Sequence, residues 1–337
     1  MKGVEGVKGV LITGASGGIG RALCAGFLSA GWRVVATDAP ERTAPEGTVS
    51  VPCCLASYVA DERVRNEFRE RVVEALAGTP LVALVNNAAV QHCGATAEVV
   101  PSEWAATLAV NVSAPFLLVQ SFLGPLEASR GSVVQITSIH ATQTKPGFVA
   151  YATSKAALAG LTRALAVDLG GRVRVNAIAP AAISTPMLEA GFEGRPESRA
   201  ELDRFHPAGR IGQPDEVARA AVWLASEDSG FLTGATLAVD GALGVRLHDP
   251  VGGAMAAASG WVVFSVSADT IPALNLTHEL GSRGSSGICA GSRGHGRCFD
   301  GGCGAGRGFG SGEVEGAHPA KSVLVEFRAA DARRIGA

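Results

Sequence analysis

The chain has 337 residues, 47% of them apolar and 18% charged, with 29 basic and 31 acidic side chains for a formal net charge of −2. That balance excludes wholesale disorder and a polyelectrolyte binder of nucleic acid, and it supplies enough apolar surface for a sizeable core. No run approaches the ~18 apolar residues of a membrane-spanning helix. Met1 to Val10 is too polar for a signal peptide. Seven cysteines without a Cys-x-x-Cys pair suit a reducing cytoplasm better than a disulfide scaffold.

In chain order, Val10-Leu11-Ile12-Thr13 reads as a short strand, and Ile19, Leu23 and Phe27 place one apolar face on a following helix. Arg33 to Thr37 is a second strand with Asp38 at its tip, and Val49 to Cys53 a third. Val64, Phe68, Val72 and Leu76 recur every four residues, as in a helix that buries one side. Leu81 to Val85 is an unbroken apolar strand of the kind covered on both faces. A helix is expected over Ala109 to Ser129, a strand over Gly131 to Ser138, a long helix over Tyr151 to Leu169 and a strand over Arg172 to Ile178. Pro186 to Pro214 is less regular. A helix over Asp215 to Ser226 and a strand over Thr236 to Val239 end the pattern. Alternating strands and helices imply parallel strands with crossover helices. The expectation is one α/β domain over 1–246, a doubly wound parallel sheet of about seven strands, with a substrate loop at about 186–214.

Residues 247–337 differ in character. Trp261 to Phe264 and Ser322 to Phe327 are possible strands. Between them, 281–316 contains 14 glycines in 36 positions. So little apolar burial cannot offset the entropy of ordering, and this tail is expected to be largely disordered.

Chemistry is concentrated at strand ends. Thr13-Gly14-Ala15-Ser16-Gly17-Gly18-Ile19-Gly20 joins the first strand to its helix. Glycines there permit a tight turn and close approach of a pyrophosphate to the helix amides. Asp38, eighteen residues beyond Gly20, stands where an adenosine ribose should lie. Its carboxylate accepts from ribose hydroxyls and repels a 2′-phosphate, which favours NAD over NADP.

Tyr151 and Lys155 are four apart on a helix and share a face. A phenol is a poor base at neutral pH, and a neighbouring ammonium stabilises its anion. Ser138 ends the preceding strand, where its hydroxyl can hold a reacting oxygen against Tyr151. Asn111 can relay protons towards Lys155 through water. An isolated Tyr-x-x-x-Lys is commonly a surface pair, but this combination on successive elements is specific.

These residues resemble the short-chain dehydrogenase/reductase family over about 8–246. The likeness rests on Thr13-Gly14-x-x-x-Gly18-Ile19-Gly20, Asn86-Asn87-Ala88, Asn111, Ser138, Tyr151-x-x-x-Lys155, Pro180 with Thr185, and Val239-Asp240-Gly241. It implies an NAD(P)-dependent alcohol dehydrogenase or carbonyl reductase. Tyr151 would be the acid/base, Lys155 its modulator and a ligand of the nicotinamide ribose, Ser138 the substrate-orienting group and Asn111 the holder of a relay water. Gly14, Ser16, Gly18, Ile19, Gly20, Asp38, Leu55, Asn87, Ala88, Pro180, Ile183 and Thr185 would complete the cofactor site. Three positions depart from the family pattern: Ala89 and Ala181 stand where glycine is usual, and Cys54 where an aspartate is usual near the adenine.

The substrate, a small-molecule alcohol or ketone, is expected between the nicotinamide and 186–210, against His140, Gln143, Phe148, Met187, Leu188 and Phe192. No metal site is expected. The resemblance also implies a homotetramer or dimer built on the helices near 109–129 and 151–169, with no nucleic acid or membrane partner. Two other readings stay open: a non-catalytic NAD-binding sensor or regulator, and an NADPH-dependent ketoacyl-type reductase.

Overall fold

The computed structural model describes residues 6–247, 261–267 and 322–328. Two compact units divide the chain, 1–247 and 248–337.

In the first unit, seven parallel strands run in the order β3-β2-β1-β4-β5-β6-β7. They are β1 (Gly9–Thr13), β2 (Arg33–Thr37), β3 (Val49–Ser50), β4 (Leu81–Asn86), β5 (Ser132–Ile136), β6 (Arg174–Pro180) and β7 (Thr236–Val239). Parallel strands need crossover helices, and helices on both faces leave the central strands without exposed sides. All five residues of β1 and of β5 are accordingly buried. One face carries α1 (Gly18–Ser29) and α10 (Pro214–Ala225). Leu23, Phe27, Val217, Ala221 and Leu224 close there on Ile12, Val85 and Val134. The other carries α3 (Glu62–Leu76), α5 (Ala114–Ser121) and α7 (Val149–Leu169), whose Phe68, Val72, Leu118 and Leu169 close on Leu11, Leu84 and Val175.

Three boundaries differ from the sequence expectation. β3 has only two residues, yet Val51 N and Cys53 N continue to donate to Ala36 O and Asp38 O, both at 2.9 Å. The chain therefore still tracks β2 to the sheet edge. The helix expected from Ala109 begins eight residues earlier, with Pro101 in its first turn, where a missing amide costs nothing. It runs as α4 (Pro101–Leu108), a wide π turn over Ala109–Ser113 that contains Asn111, α5, and after a break α6 (Leu123–Ala128). Pro101–Ser121 is long and apolar enough to cross a membrane by length and composition. Here its buried side, Thr107, Asn111, Ala114 and Leu118, packs within the helical layer. The less regular stretch after Pro186 contains α8 (Pro186–Ala190) and α9 (Pro196–Phe205), ahead of α10. A short α2 (Leu55–Ala60) follows Cys54.

In the second unit, β8 (Trp261–Ser267) pairs antiparallel with β9 (Ser322–Arg328), so both possible strands of the tail form. Segment 281–316 lies outside the described residues.

Arg174 locks the far end of the sheet. Its guanidinium donates to Leu224 O, Ser226 O and both Ser229 O and Oγ, at 2.9–3.2 Å. Leu224 O and Ser226 O are carbonyls at the end of α10, and Ser229 belongs to the buried turn that follows it. Arg174→Met should lower unfolding stability by about 2–3 kcal/mol, read by urea denaturation, because several buried acceptors lose their charged donor together.

Candidate active site

The strand order reverses between β1 and β4, and a doubly wound sheet opens its crevice at that point. The chain ties the crevice floor with a clasp. Thr13 Oγ1 accepts from Asn87 N and Ala88 N, both at 3.0 Å, while Asn87 Nδ2 donates to Thr13 O at 3.0 Å and Gly14 O at 2.9 Å. Asn87 therefore acts on the glycine loop itself. The Thr13 hydroxyl was not singled out from sequence, since a threonine at a strand end gives no signal of a distant partner.

The loop has no room for side chains at two positions. Gly14 has φ +63°, and a Cβ there would lie 2.7 Å from Ala88 Cα; at Gly20 it would lie 2.0 Å from Gly14 O. Gly18 is roofed by Thr185, whose Cγ2 would be 2.7 Å from an added Cβ. The stretch from Pro180 to Thr185 thus approaches the loop from the opposite wall, with Ile183 bridged to Gly212. Asp38 sits at the end of β2 with Oδ2 accepting from Ser16 N and Oδ1 from Ala39 N, each at 2.8 Å.

These features fit a dinucleotide. The loop lacks side chains where a pyrophosphate would approach, a carboxylate stands at the ribose position, and Ser16 Oγ and Thr37 Oγ1 are buried without a protein partner. Ala89 and Ala181, in the two glycine positions of the family, are not among the residues with positive φ, so alanine fits without backbone strain. Cys54 precedes Leu55, the first residue of α2. The amide and hydroxyl of Ser57 hold its thiol below the usual range.

Ser138 leaves β5 and Tyr151 lies in the first turn of α7, so the two meet across the strand ends. His140 N donates to Ser138 Oγ at 3.2 Å, which leaves the hydroxyl proton free to engage the Tyr151 phenol. Burial pushes the phenol up, and the Ser138 hydroxyl bond pulls it the other way. Lys155 is buried, with Nζ donating to Ile136 O at 2.8 Å and lying 5.5 Å from the Tyr151 ring centroid. Loss of hydration lowers it from 10.5 to about 8. At Tyr151 burial is the largest effect, ahead of the Ser138 bond.

Asn111 is fully buried on the π turn. Its Oδ1 accepts from Val90 N and its Nδ2 donates to Val90 O and Ser154 Oγ, all at 2.9 Å; Ser154 Oγ in turn donates to Tyr151 O at 2.7 Å. The side chain thus braces the first turn of α7. Ser154, the link, was not identified from sequence because a mid-helix serine is usually unremarkable.

His140, Phe148 and Tyr151 come together. His140 stacks on Phe148 with centroids 4.6 Å apart, and both meet Tyr151 edge to face, at 5.8 and 6.2 Å. Lys145 Nζ caps Phe148 at 4.6 Å. Burial first, and then Lys145, push the His140 imidazole below its usual range. Gln143 belongs to the same loop, but its Nε2 donates to Gly244 O at 2.6 Å. Leu188 and Phe192 are half-buried on and after α8, and the side chain of Met187 lies outside the described residues. Among the described residues, no three His, Cys, Asp or Glu side chains gather as a metal site.

Fold and site together define a dinucleotide-dependent oxidoreductase. A family model described as enoyl-(acyl carrier protein) reductase matches residues 14–243. The protein FixR of Bradyrhizobium diazoefficiens is 37% identical over 250 residues, covering 69% of this chain and 86% of its own. The 3-oxoacyl-[acyl-carrier-protein] reductase FabG of Thermotoga maritima is 34% identical over 242 residues, covering 70% and 97%. Among solved structures, the ligand-free aldohexose dehydrogenase of Thermoplasma acidophilum superposes with a TM-score of 0.65 at 30% identity, covering 72% and 97%. The chain belongs to the short-chain dehydrogenase/reductase family and is an NAD(P)-dependent oxidoreductase acting on an alcohol or carbonyl substrate.

Two predictions follow from the burial. Gly20→Ala should abolish dinucleotide binding in calorimetry, because its methyl would overlap Gly14 O. Lys155 titrates near 8 when folded and near 10.5 when unfolded, so between those values the unfolded chain holds the extra proton. Stability of the parent relative to Lys155→Met should therefore rise by about 2 kcal/mol from pH 8 to pH 10, read from urea midpoints.

Proposed function

We propose that the protein is an NAD-dependent dehydrogenase that moves hydride between nicotinamide C4 and the carbinol carbon of a secondary alcohol or its ketone. One observation carries this reading: the Tyr151 phenol meets a Ser138 hydroxyl that is itself held by the His140 amide, with a buried lysine one turn away. A site built only to bind a dinucleotide needs no such proton acceptor, which counts against a non-catalytic sensor.

Bound NAD supplies the electrophilic carbon that accepts the hydride. Gly14, Ser16, Gly18, Ile19 and Gly20 would hold its pyrophosphate, Asp38 its adenosine ribose, and Leu55 N with Asn87 and Ala88 the adenosine side. Pro180, Ile183 and Thr185 would hold the carboxamide, and Lys155 the nicotinamide ribose. Ser138 orients the substrate oxygen. Tyr151 takes the hydroxyl proton as the C–H bond gives up its hydride, and returns it in the reverse direction. Asn111 keeps α7 in register with this step and its π turn is the place for a relay water. His140 and Phe148 form the aromatic wall beside the reacting oxygen, with Leu188 and Phe192 on the facing side.

NAD is preferred to NADP because Asp38 presents a carboxylate whose two oxygens are already fixed by Ser16 N and Ala39 N, aimed where a 2′-phosphate would collide with its charge. The 3-oxoacyl reductase relative keeps an NADPH-dependent ketoacyl reductase as the second reading. The protein acts as a homo-oligomer: Phe116, Val149 and Val167 stand exposed on α5 and α7, beside the exposed Ala156, Ala157 and Ala164. Free Cys24, Cys53, Cys54 and Cys93 suit the cytoplasm.

The test is absorbance at 340 nm with a panel of alcohols and either dinucleotide. Tyr151→Phe should lower turnover about a thousandfold while dinucleotide affinity holds. Asp38→Ser should move the NAD:NADP preference towards NADP by about 10–100-fold. Turnover of a ketoacyl thioester with NADPH alone would establish the second reading. Dinucleotide binding without turnover of any alcohol, ketone or thioester would return the sensor.

A further inference from the structure

Seven residues that leave β7 touch two places far apart in sequence. Asp240 organises them, with Oδ1 accepting from Ala242 N at 3.0 Å and Oδ2 from Gly244 N at 2.9 Å. At one end Gln143 Nε2 donates to Gly244 O at 2.6 Å. Gln143 lies on the loop between Ser138 and α7, which also carries His140 and Phe148. At the other end Arg246 donates to Phe205 O at 3.0 Å and Arg204 O at 3.4 Å, the open carbonyls at the end of α9. Between these ends Ala208 N donates to Gly241 O at 3.1 Å, and His206 is buried with Gly241 against it.

The helices reached this way are bonded to each other. Arg199 on α9 binds Glu189 on α8 at 3.0 Å and Asp203 on its own helix at 2.8 Å, and Asp203 accepts from Ile211 N at 2.9 Å. Ser184 Oγ adds a bond to Glu189 at 2.8 Å. The start of α8 is fixed over the glycine loop, where Pro186 Cδ and Thr185 pack on Gly18. Whatever holds the end of α9 therefore sets the tilt of this pair of helices relative to the catalytic loop.

We infer that residues 240–246 form a strap holding two walls of the substrate site at a fixed separation, with Gln143 and Arg246 as positioning residues at its ends. Gln143 bonds the strap rather than the substrate. Its side chain acts on α9 by way of Gly244 and Asp240, and from there through Arg246 and through the contact of Gly241 with His206 and Ala208. Each bond is exposed and individually modest, so the strap is releasable. The role at substrate rests on the dehydrogenase reading; the mechanical link does not.

Hydrogen exchange on the full chain tests the link. Gln143→Ala and Arg246→Ala should each speed exchange of the amides of 196–206 by about fivefold, the factor that losing one ordinary hydrogen bond makes in a local opening equilibrium. Gln143→Glu, which keeps size but loses the donor, should repeat the alanine result. In kinetics, each variant should raise the KM for alcohol several-fold with kcat held. Exchange in Gln143→Ala that changes only within 139–148 and 242–246 overturns the strap. Unchanged 196–206 exchange in all three variants overturns it as well. A parent protein that oxidises no alcohol overturns the dehydrogenase reading alone, since the exchange result does not depend on turnover.

Discussion

Lys155 keeps its ammonium out of water for the sake of one position. Ionic groups are rarely placed where hydration is lost and a backbone carbonyl takes the hydrogen bond, because the desolvation is only partly offset. The bond from Nζ to Ile136 O ties the first turns of α7 to the end of β5. Ser138 emerges from β5 two residues later, and Tyr151 lies one turn before Lys155. A single interaction thus helps fix where Ser138 and Tyr151 stand relative to one another. The same loss of hydration that lowers Lys155 raises Tyr151, so the site favours the neutral form of both groups more than water does.

The rest of the site is hung from that point by backbone contacts more than by side-chain charge. Asn111 reaches α7 through Ser154, and the π turn that carries it widens the apolar helical run between α4 and α5. A wide turn of this kind is common where a helix is bent to serve a site. Across the crevice, Thr13 and Asn87 bind β1 to β4 where the two halves of the sheet diverge. The glycine loop is consequently rigid before any dinucleotide arrives, which reduces the ordering cost of binding. Rigidity is not uniform: Lys155 and Asn111 rest on buried bonds, whereas α8 and α9 are joined to each other by an exposed ion pair and to the Gln143 loop by the 240–246 segment. Loose attachment suits the wall that must admit and release substrate.

Much of this was legible in the chain itself. Periodicity located the strands and their order, because parallel strands buried on both faces need continuous apolar runs. The glycine spacing, Asp38 and the Ser138, Tyr151 and Lys155 set announced the site, because the chemistry restricts the residue types allowed there. Boundaries were less legible. The helix containing Asn111 starts at Pro101, since Ser102 and Glu103 interrupt the apolar pattern without interrupting the backbone. β3 shrank to two residues because edge pairing needs only backbone amides, which no side-chain pattern records.

What the sequence by itself determined was the family and the parallel sheet, and it singled out the residue types that the proposed chemistry would need, all consequences of local pattern. Only the tertiary structure decided what those groups lean on. The Thr13–Asn87 clasp, the Ser154 link, the stack of His140 on Phe148, and the attachment of Gln143 to Gly244 rather than to the pocket all join residues remote in sequence. Such contacts are set by how layers pack and where strands end, and a hydrogen bond across 101 residues of chain leaves no trace in the spacing of either partner.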